Sequence, residues 1–178
     1  MTILGLDLGI NRTGWCLGTG AMVPLAGAWV FNPTGDSLGA LGDAFSAKLL
    51  NLPGGAIPDV VLYEAPFLDR YRDKVIVLRK TYGLGFWLET WCRSAGIICE
   101  EVPFGKVKRE LGGSATASKE DMVAAAKKCG VNLPPNANQG MEDAADAFGV
   151  WLIGVRLYAR QFQPAWDRRL YSPRGALL

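Results

Sequence analysis

Two acidic residues stand at the carboxyl ends of two apolar segments. Asp7 ends the segment 2–7, and Glu64 ends the segment 59–64. Taken singly, Asp7 is equally well a turn aspartate bonded to nearby backbone, and Glu64 a strand-end glutamate that faces solvent. Because ligands of open α/β sheets gather at the carboxyl ends of the strands, the two acids together indicate a site at that edge.

A third acidic group lies in a segment that predicts a helix. Asp143 and Asp146 are three residues apart, so a helix places both on one face. The alanines around them are small enough to let that helix lie close against a sheet. The alternative interpretation is an acidic first turn that complements the helix dipole, and it is the better interpretation of the neighbouring Glu142.

Four carboxylates from two strand ends and one helix could hold two hard cations. Ligands that are all oxygens suit Mg²⁺ or Mn²⁺. Two such ions about 3.5–4 Å apart clamp the attacking and leaving oxygens of a phosphodiester. The chain has no histidine, which argues against zinc sites of the Cys/His type and excludes serine or cysteine triads in their usual form. Metal held by carboxylates is therefore the chemistry to expect.

Hydrophobic periodicity predicts the elements that position these acids. The predicted strands are 2–7, 13–18, 23–31, 59–64 and 97–102, and the predicted helices are 37–50, 74–95, 104–111, 118–129 and 141–160. This order indicates an α/β fold with a five-stranded mixed sheet, an antiparallel meander plus parallel strands, and helices on both faces. Right-handed crossovers place the first and fourth strands side by side, or nearly so.

The domain organisation follows from the last predicted helix. Residues 1–160 are expected to form one domain, since 178 residues are enough for a core without staples. Residues 161–178 contain two prolines and three arginines, and we expect them to be an irregular, basic tail.

Composition is that of an ordinary globular chain, with 49% hydrophobic and 20% charged residues. A net charge of +2 permits nucleic-acid binding without requiring it. The four cysteines lack CxxC spacing and are expected to be buried and reduced. No signal sequence and no apolar run of about 18 residues is visible, so we expect a cytoplasmic protein that does not enter membranes.

Four motifs resemble those of the RuvC-type Holliday-junction resolvases, in the same order from residue 2 to about residue 155. They are Gly5-Leu6-Asp7-Leu8-Gly9, Asn11-Arg12-Thr13-Gly14, Tyr63-Glu64 and Asp143-Ala144-Ala145-Asp146-Ala147. The resemblance implies a ribonuclease-H-like fold and a magnesium-dependent endonuclease that cuts four-way DNA junctions. It also implies that Asp7, Glu64, Asp143 and Asp146 bind two Mg²⁺ ions, for which Mn²⁺ substitutes.

The resemblance extends to residues that contact DNA. Lys108 and Lys119 match basic residues that the family carries beside the scissile phosphate, although solvated helix lysines are the alternative. Phe67 matches an aromatic that the family inserts at the junction centre, and core packing is the alternative there. Further basic residues near these positions are expected to contact DNA: Arg70, Arg72, Lys106 and Arg109.

The chain also departs from the family pattern. Glu142 adds an acid beside the metal pair, which leaves the ligand assignment within 142–146 open. The segment 67–73 is more charged and aromatic than its usual counterpart. Selectivity for junctions over forks, flaps or other branched DNA is therefore open, and the departures would suit a divergent phage member.

A homodimer is expected, because a junction with two-fold symmetry needs two symmetric nicks and a C₂ dimer supplies two sites. We place its interface on the helix 74–95. That helix has more apolar residues than one face needs, and two of its glycines would permit close approach of a partner. The residues concerned are Tyr82, Phe86, Trp87 and Trp91, with Gly83 and Gly85. The alternative is that these aromatics fill the monomer's own core.

Two other functions remain as alternatives. Residues 7–13 also resemble the first phosphate loop of actin-like and sugar-kinase phosphotransferases. Such enzymes need two large lobes and a second glycine-rich loop, for which 178 residues are too few. A non-catalytic protein that binds branched DNA is the third hypothesis, and acids at all four positions argue against it.

Overall fold

A single five-stranded sheet forms the centre of the molecule. The computed structural model describes residues 1–31, 37–66 and 75–172. The strands are β1 (Ile3–Asp7), β2 (Arg12–Gly18), β3 (Leu25–Val30), β4 (Val60–Glu64) and β5 (Ile98–Val102). Their order is β3-β2-β1-β4-β5, with β1, β2 and β3 antiparallel and with β4 and β5 parallel to β1. The predicted mixed sheet is confirmed, including the pairing of the first and fourth strands.

Six α-helices cover the two faces of the sheet in the described residues. They are α1 (Leu38–Leu50), α2 (Val75–Ala95), α3 (Phe104–Gly112), α4 (Lys119–Lys128), α5 (Met141–Tyr158) and α6 (Gln163–Tyr171). Helices α1 and α2 pack on one face, and α3 to α6 contribute to the core on the other. The start of α4 is fixed by a capping box between Ser118 and Asp121, in which each side chain accepts a bond from the other residue's backbone.

The alternation of side chains along the strands decides which residues face α5. Leu4 and Leu6 of β1 belong to the core under α1 and α2, whereas Ile3 belongs to the core under α5. Successive side chains of a strand point to opposite faces. Asp7 is in phase with Ile3, so it lies on the α5 face. Glu64 lies there for the same reason, since it is in phase with Val60 and Leu62 of β4.

Glycines allow the backbone of α5 to lie directly on β1 and β2. A Cβ atom added to Gly5 would be 2.6 Å from the carbonyl oxygen of Ala147. One added to Gly14 would be 1.9 Å from the carbonyl oxygen of Asp143. Any larger residue would lift the helix, so these two glycines set the height of α5 above the sheet edge.

The prediction that residues 161–178 form an irregular tail is wrong for most of the described residues of that segment. Residues Gln163–Tyr171 form α6, which begins with Pro164 in its first turn, where the missing N–H is not needed. Trp166 is buried; its indole N–H donates to the carbonyl of Gly20 at 2.7 Å, and its ring lies edge-on to Trp151 at 5.1 Å. The helix completes the same core as residues 1–160, so no structural boundary falls at residue 160.

Of the two α2 glycines predicted to permit close approach of a partner, Gly85 is buried and Gly83 is half-buried. A Cβ atom on Gly85 would lie 3.5 Å from the Tyr63 ring, so this glycine seats α2 on the chain's own sheet. The atom nearest to a Cβ on Gly83 belongs to Leu38 of α1. All four cysteines are free thiols, and the predicted burial is confirmed for Cys16, Cys92 and Cys129, whereas Cys99 is half-buried. Among the described helices, none combines the length and apolar character needed to cross a lipid bilayer.

Candidate active site

Asp7 and Glu64 meet at the carboxyl edge of the sheet. In the parallel pairing of β1 and β4, Leu6 is opposite Tyr63, so the next residue of each strand is an acid. The two carboxyl groups are joined by a hydrogen bond. Burial is the main cause that raises the pKa of Glu64 to about 10, and the charges of Asp7 and Asp146 raise it further. The raised pKa favours the protonated form of Glu64 beside Asp7.

Helix α5 brings Asp146 to the same place. Its carboxyl group is close enough to add to the electrostatic penalty on Glu64. Burial raises the pKa of Asp146 to about 6, while the positive charges of Lys119 and Lys108 oppose the rise. Three acids that were predicted from separate segments are therefore neighbours on the α5 face.

Asp143 forms an ion pair with Arg12, which was not among the predicted site residues. The guanidinium Nε donates to the Asp143 carboxylate, and Nη1 donates to the carbonyl of Asn138 at 3.1 Å. Arg12 was part of a quoted motif, and the signal that could have singled it out is strand alternation. It is in phase with Gly14 and Cys16 of β2, and it therefore points toward α5.

Glu142 and Lys119 form a second ion pair at the mouth of the site. Lys119 is the first residue of α4, and its ammonium donates to the Glu142 carboxylate. This hydrogen bond is the main cause that raises the pKa of Lys119. Glu142 lies in the first turn of α5, as the dipole interpretation expects, but it also holds the lysine predicted to approach the scissile phosphate.

Lys108 is held inside the site by α3. Its ammonium donates to the carbonyl of Ala117 at 2.7 Å and lies 4.9 Å from the centre of the Phe104 ring. Its charge lowers the pKa of both Glu64 and Asp146, so it is close to the acids. The solvated-helix interpretation does not describe this half-buried lysine.

The donor chemistry of the site fits a divalent metal ion. All of its candidate ligands are carboxylate oxygens, and burial raises the pKa of Glu64 and Asp146, a penalty that a cation would relieve. With the side chains as they stand, however, no three acids or cysteines in the described parts of the chain are grouped to hold an ion. Asp143 is engaged by Arg12, and Glu142 by Lys119.

The remaining predicted DNA contacts divide into two groups. Lys106 and Arg109 are exposed on α3, and neither is paired with an acid of the described residues. Phe67, Arg70 and Arg72 lie outside the described residues.

The raised carboxyl pKa values predict that the metal-free protein loses stability as the pH rises. The folded protein binds these protons more tightly than the unfolded chain. The stability that this proton binding gives to the folded protein is fully present below 4.5, the ordinary pKa of Glu64. It is lost as the pH rises through about 6 for Asp146 and toward about 10 for Glu64. Thermal unfolding in EDTA should therefore show a higher Tm at pH 5.5 than at pH 8.

Glu64→Gln keeps a neutral hydrogen-bond donor and should raise the Tm at pH 8. A gain of about 1 kcal/mol corresponds to about 2–4 °C for a chain of this size. Asp43→Asn, which changes an exposed acid of α1, is the control and should leave the Tm near that of the wild type. A Glu64→Gln protein no more stable than the wild type at pH 8 would contradict the buried, protonated carboxyl.

Comparison with known proteins identifies the fold. No protein-family model matches the chain, and no curated protein sequence matches it. Thermus thermophilus RuvC has a TM-score of 0.63 at 20% identity, covering 90% of this chain and 96% of that one. T. thermophilus RuvC in complex with a Holliday junction substrate has a TM-score of 0.69 at 20% identity, covering 92% and 97%. The yeast mitochondrial Holliday junction resolvase Ydc2 has a TM-score of 0.55 at 13% identity, covering 92% and 83%. The chain thus has the ribonuclease-H-like fold of RuvC, as the resemblance implied.

Proposed function

We propose that this protein is a RuvC-type resolvase, a metal-dependent endonuclease that cuts Holliday junctions or related branched DNA. The observation that carries the proposal is the group of Asp7, Glu64 and Asp146 at the carboxyl edge of the sheet, on the face covered by α5. The similar T. thermophilus structure is described as RuvC bound to a Holliday junction substrate, and the yeast protein as a resolvase. A shared fold does not fix function, so the proposal depends on the acids and not on the fold alone.

The ligands in this proposal are Asp7, Glu64, Asp143 and Asp146, for two Mg²⁺ ions or their Mn²⁺ substitutes. Such ions, when bound, supply a water activated for attack and stabilise the leaving 3′ oxygen. Glu64 must give up its proton to become a ligand, and the nearby charge of Lys108 favours that loss. To bind a metal ion, the Asp143 carboxylate must release its hydrogen bond to Arg12. The Arg12 guanidinium is then available to a phosphate.

Lys119 is proposed to contact the phosphate that is cut. It lies at the start of α4, half-exposed, and its charge opposes the pKa rise of Asp146. A cation beside the reacting phosphate stabilises charge that grows in the transition state. Lys108, held by the Ala117 carbonyl, is proposed to act beside it or to support binding.

Lys119→Ala should slow cleavage more than it weakens binding. Loss of one such donor typically lowers the rate about 10²–10³-fold. Single-turnover rates and junction affinity, measured on the same preparation, separate the two effects. Lys48→Ala removes an exposed lysine of α1 and should leave both unchanged. An unchanged single-turnover rate for Lys119→Ala would return this lysine to a structural role at Glu142.

Cleavage of labelled DNA is the experiment that tests the function. A four-way junction, a fork, a flap and the matched linear duplex are incubated with Mg²⁺ or with EDTA. The proposal expects paired nicks in a branched substrate, dependent on Mg²⁺, and little cutting of the duplex. Binding without cutting would favour the non-catalytic alternative. Metal-dependent ATP hydrolysis without any cutting would favour the phosphotransferase alternative.

The proposed active unit is a homodimer formed through α2. Phe86, Trp87 and Tyr82 are 72%, 42% and 45% exposed. Phe86 and Trp87, with Leu38 of α1, line an apolar groove between α1 and α2. Trp91, by contrast, packs against the chain's own core. The apolar surface that remains unburied on α2 supports an isologous contact between two copies.

Phe86→Glu should convert the dimer to a monomer. The new carboxylate would be buried in the apolar interface against the second copy, and burying an unpaired charge is costly. Sedimentation velocity at micromolar concentration measures the change. Leu50→Glu is the matched control, since Leu50 is also 72% exposed but lies at the far end of α1. A wild-type protein that is a strict monomer, alone and on a junction, would exclude paired resolution and leave a nuclease that makes single nicks.

A further inference from the structure

Four basic residues are gathered where the end of α4 meets α6. We call this group, Lys127, Lys128, Arg168 and Arg169, the α4–α6 corner. Two of the four side chains join the helices: Lys128 donates to the carbonyl of Leu170 at 2.7 Å, and Arg169 donates to the carbonyl of Cys129 at 2.8 Å. The Arg169 guanidinium also lies 4.9 Å from the centre of the Trp166 ring.

The charge of the corner is not neutralised within the protein. None of the four residues forms an ion pair with an acid in the described residues, whereas Arg12, Lys119 and Arg156 all do. The negative ends of the α4 and α6 dipoles offset part of the charge that Lys128 and Arg169 bring. Lys127 and Arg168 are exposed, and their side chains make no hydrogen bond within the described residues. The positive charges of Lys127 and Arg168 therefore face solvent.

The packing of α6 against the rest of the protein does not require Lys127 or Arg168. Lys128 and Arg169 are sufficient for the two carbonyl bonds between the helices. The apolar contacts of α6 come from Trp166 and Leu170, which are both buried. Like charges brought together at one corner repel each other unless an anion is supplied. A polyanion is the partner whose chemistry fits.

Helix α4 connects the corner to the active site. It begins at Lys119, beside Glu142, and ends at Lys128. A rise of 1.5 Å per residue makes this distance about 14 Å along the helix axis. One strand of duplex DNA carries a phosphate for about every 3.4 Å of its axis, so the same distance corresponds to about four nucleotides.

We propose that the α4–α6 corner binds the phosphate backbone of a duplex arm that leaves the active site along α4, about four nucleotides from the cut. The inference rests on the proposed function, and it adds a contact that positions one arm of the branched substrate. Contacts to phosphate fix the register of a protein on DNA without reading its sequence. The corner is thus a positioning surface, and residues on it do not take part in the chemical step.

The salt dependence of binding tests this surface. The double variant Lys127→Ala, Arg168→Ala is compared with the wild type by junction titration at several salt concentrations in EDTA, so that no cutting occurs. Each lost phosphate contact lowers the slope of log affinity against log salt by about 0.9, so a loss of about 1.8 is expected. The matched control is Lys48→Ala, Arg93→Ala. It removes the same charge from exposed positions on α1 and α2 and should keep the wild-type slope.

Shortened arms add a second readout. A junction in which one arm is closed by a hairpin loop two base pairs from the branch point should bind the wild type more weakly than one with four long arms. The double variant should discriminate much less between the two. Equal slopes and equal arm-length dependence for the wild type and the double variant would overturn the proposal.

Failure of the corner and failure of the proposed function have different signatures. If the wild type cuts junctions but the double variant keeps its salt slope, only the corner is wrong. If the wild type neither cuts nor prefers branched DNA, yet its duplex binding loses about 1.8 units of slope in the double variant, the corner is a phosphate-binding surface and the resolvase proposal is wrong.

Discussion

Asp7→Asn, Glu64→Gln, Asp143→Asn and Asp146→Asn should each abolish cleavage in Mg²⁺ while leaving junction binding intact. Each substitution removes a negative ligand and keeps the size of the side chain. Metal-ion catalysis contributes several kcal/mol to transition-state stabilisation, and about 4 kcal/mol corresponds to about 10³ in rate. Binding should stay near that of the wild type, or become tighter where the substitution removes a negative charge near the phosphates. Single-turnover cleavage and a binding titration in EDTA measure the two quantities.

The control for these variants is Asp43→Asn, which changes an exposed acid of α1 and should cut normally. Unfolding cannot account for the expected loss at Glu64, because the same substitution is predicted to stabilise the metal-free protein at pH 8. Two or more of the four variants that cut at rates within tenfold of the wild type would show that the site is placed wrongly.

The pairing of Asp7 with Glu64 could be predicted because it depends on local patterns. Each acid ends an apolar strand, and parallel neighbours present their carboxyl ends at one edge. Alternation along each strand then assigns both acids to the face under α5. The helix pattern places Asp146 on a helix, and the requirement that α5 cover β1 brings that residue to the same edge.

The ion pairs of Arg12 and Lys119 could not be predicted, because they depend on distances between remote segments. Arg12 and its partner Asp143 are separated by 131 residues, and Lys119 and Glu142 by 23. Spacing within a helix or strand carries no information about such pairs. These pairs engage two acids of the α5 first turn with basic side chains, and no three acids or cysteines of the described residues are grouped to hold a metal ion.

Helix α6 was missed for a different reason. Its sequence is rich in polar residues, and two prolines and three arginines in its neighbourhood favour irregular structure. The signal that identifies it is the spacing of four between Trp166 and Leu170, which places both on one face of a single short helix. A helix that buries only two side chains gives a weak periodic pattern, and tertiary packing decides its structure.

Gly14→Ala should disrupt both the fold and the candidate active site. The added Cβ would lie 1.9 Å from the carbonyl oxygen and 2.3 Å from the carbonyl carbon of Asp143. Both atoms belong to the backbone of α5, which cannot move aside as a flexible side chain could. Overpacking of a core costs about 1–3 kcal/mol and occasionally more, and we expect the upper end of that range or beyond. About 3 kcal/mol lowers the Tm of a chain of this size by about 6–12 °C.

Cleavage should also be lost in Gly14→Ala at temperatures where the protein remains folded, because Asp143 and Asp146 move with the helix that the new methyl group lifts. Gly39→Ala is the matched control: Gly39 is exposed in the first turn of α1, and the nearest atom to an added Cβ is 3.9 Å away. There the substitution should be neutral or stabilise the protein by up to about 1 kcal/mol, since alanine favours helix more than glycine does. Thermal unfolding and single-turnover cleavage of the two variants, measured side by side, decide the matter. A Gly14→Ala protein with the Tm and the rate of the Gly39→Ala protein would mean that α5 does not lie on β2 at this height, and that the acids of α5 reach the sheet edge in some other way.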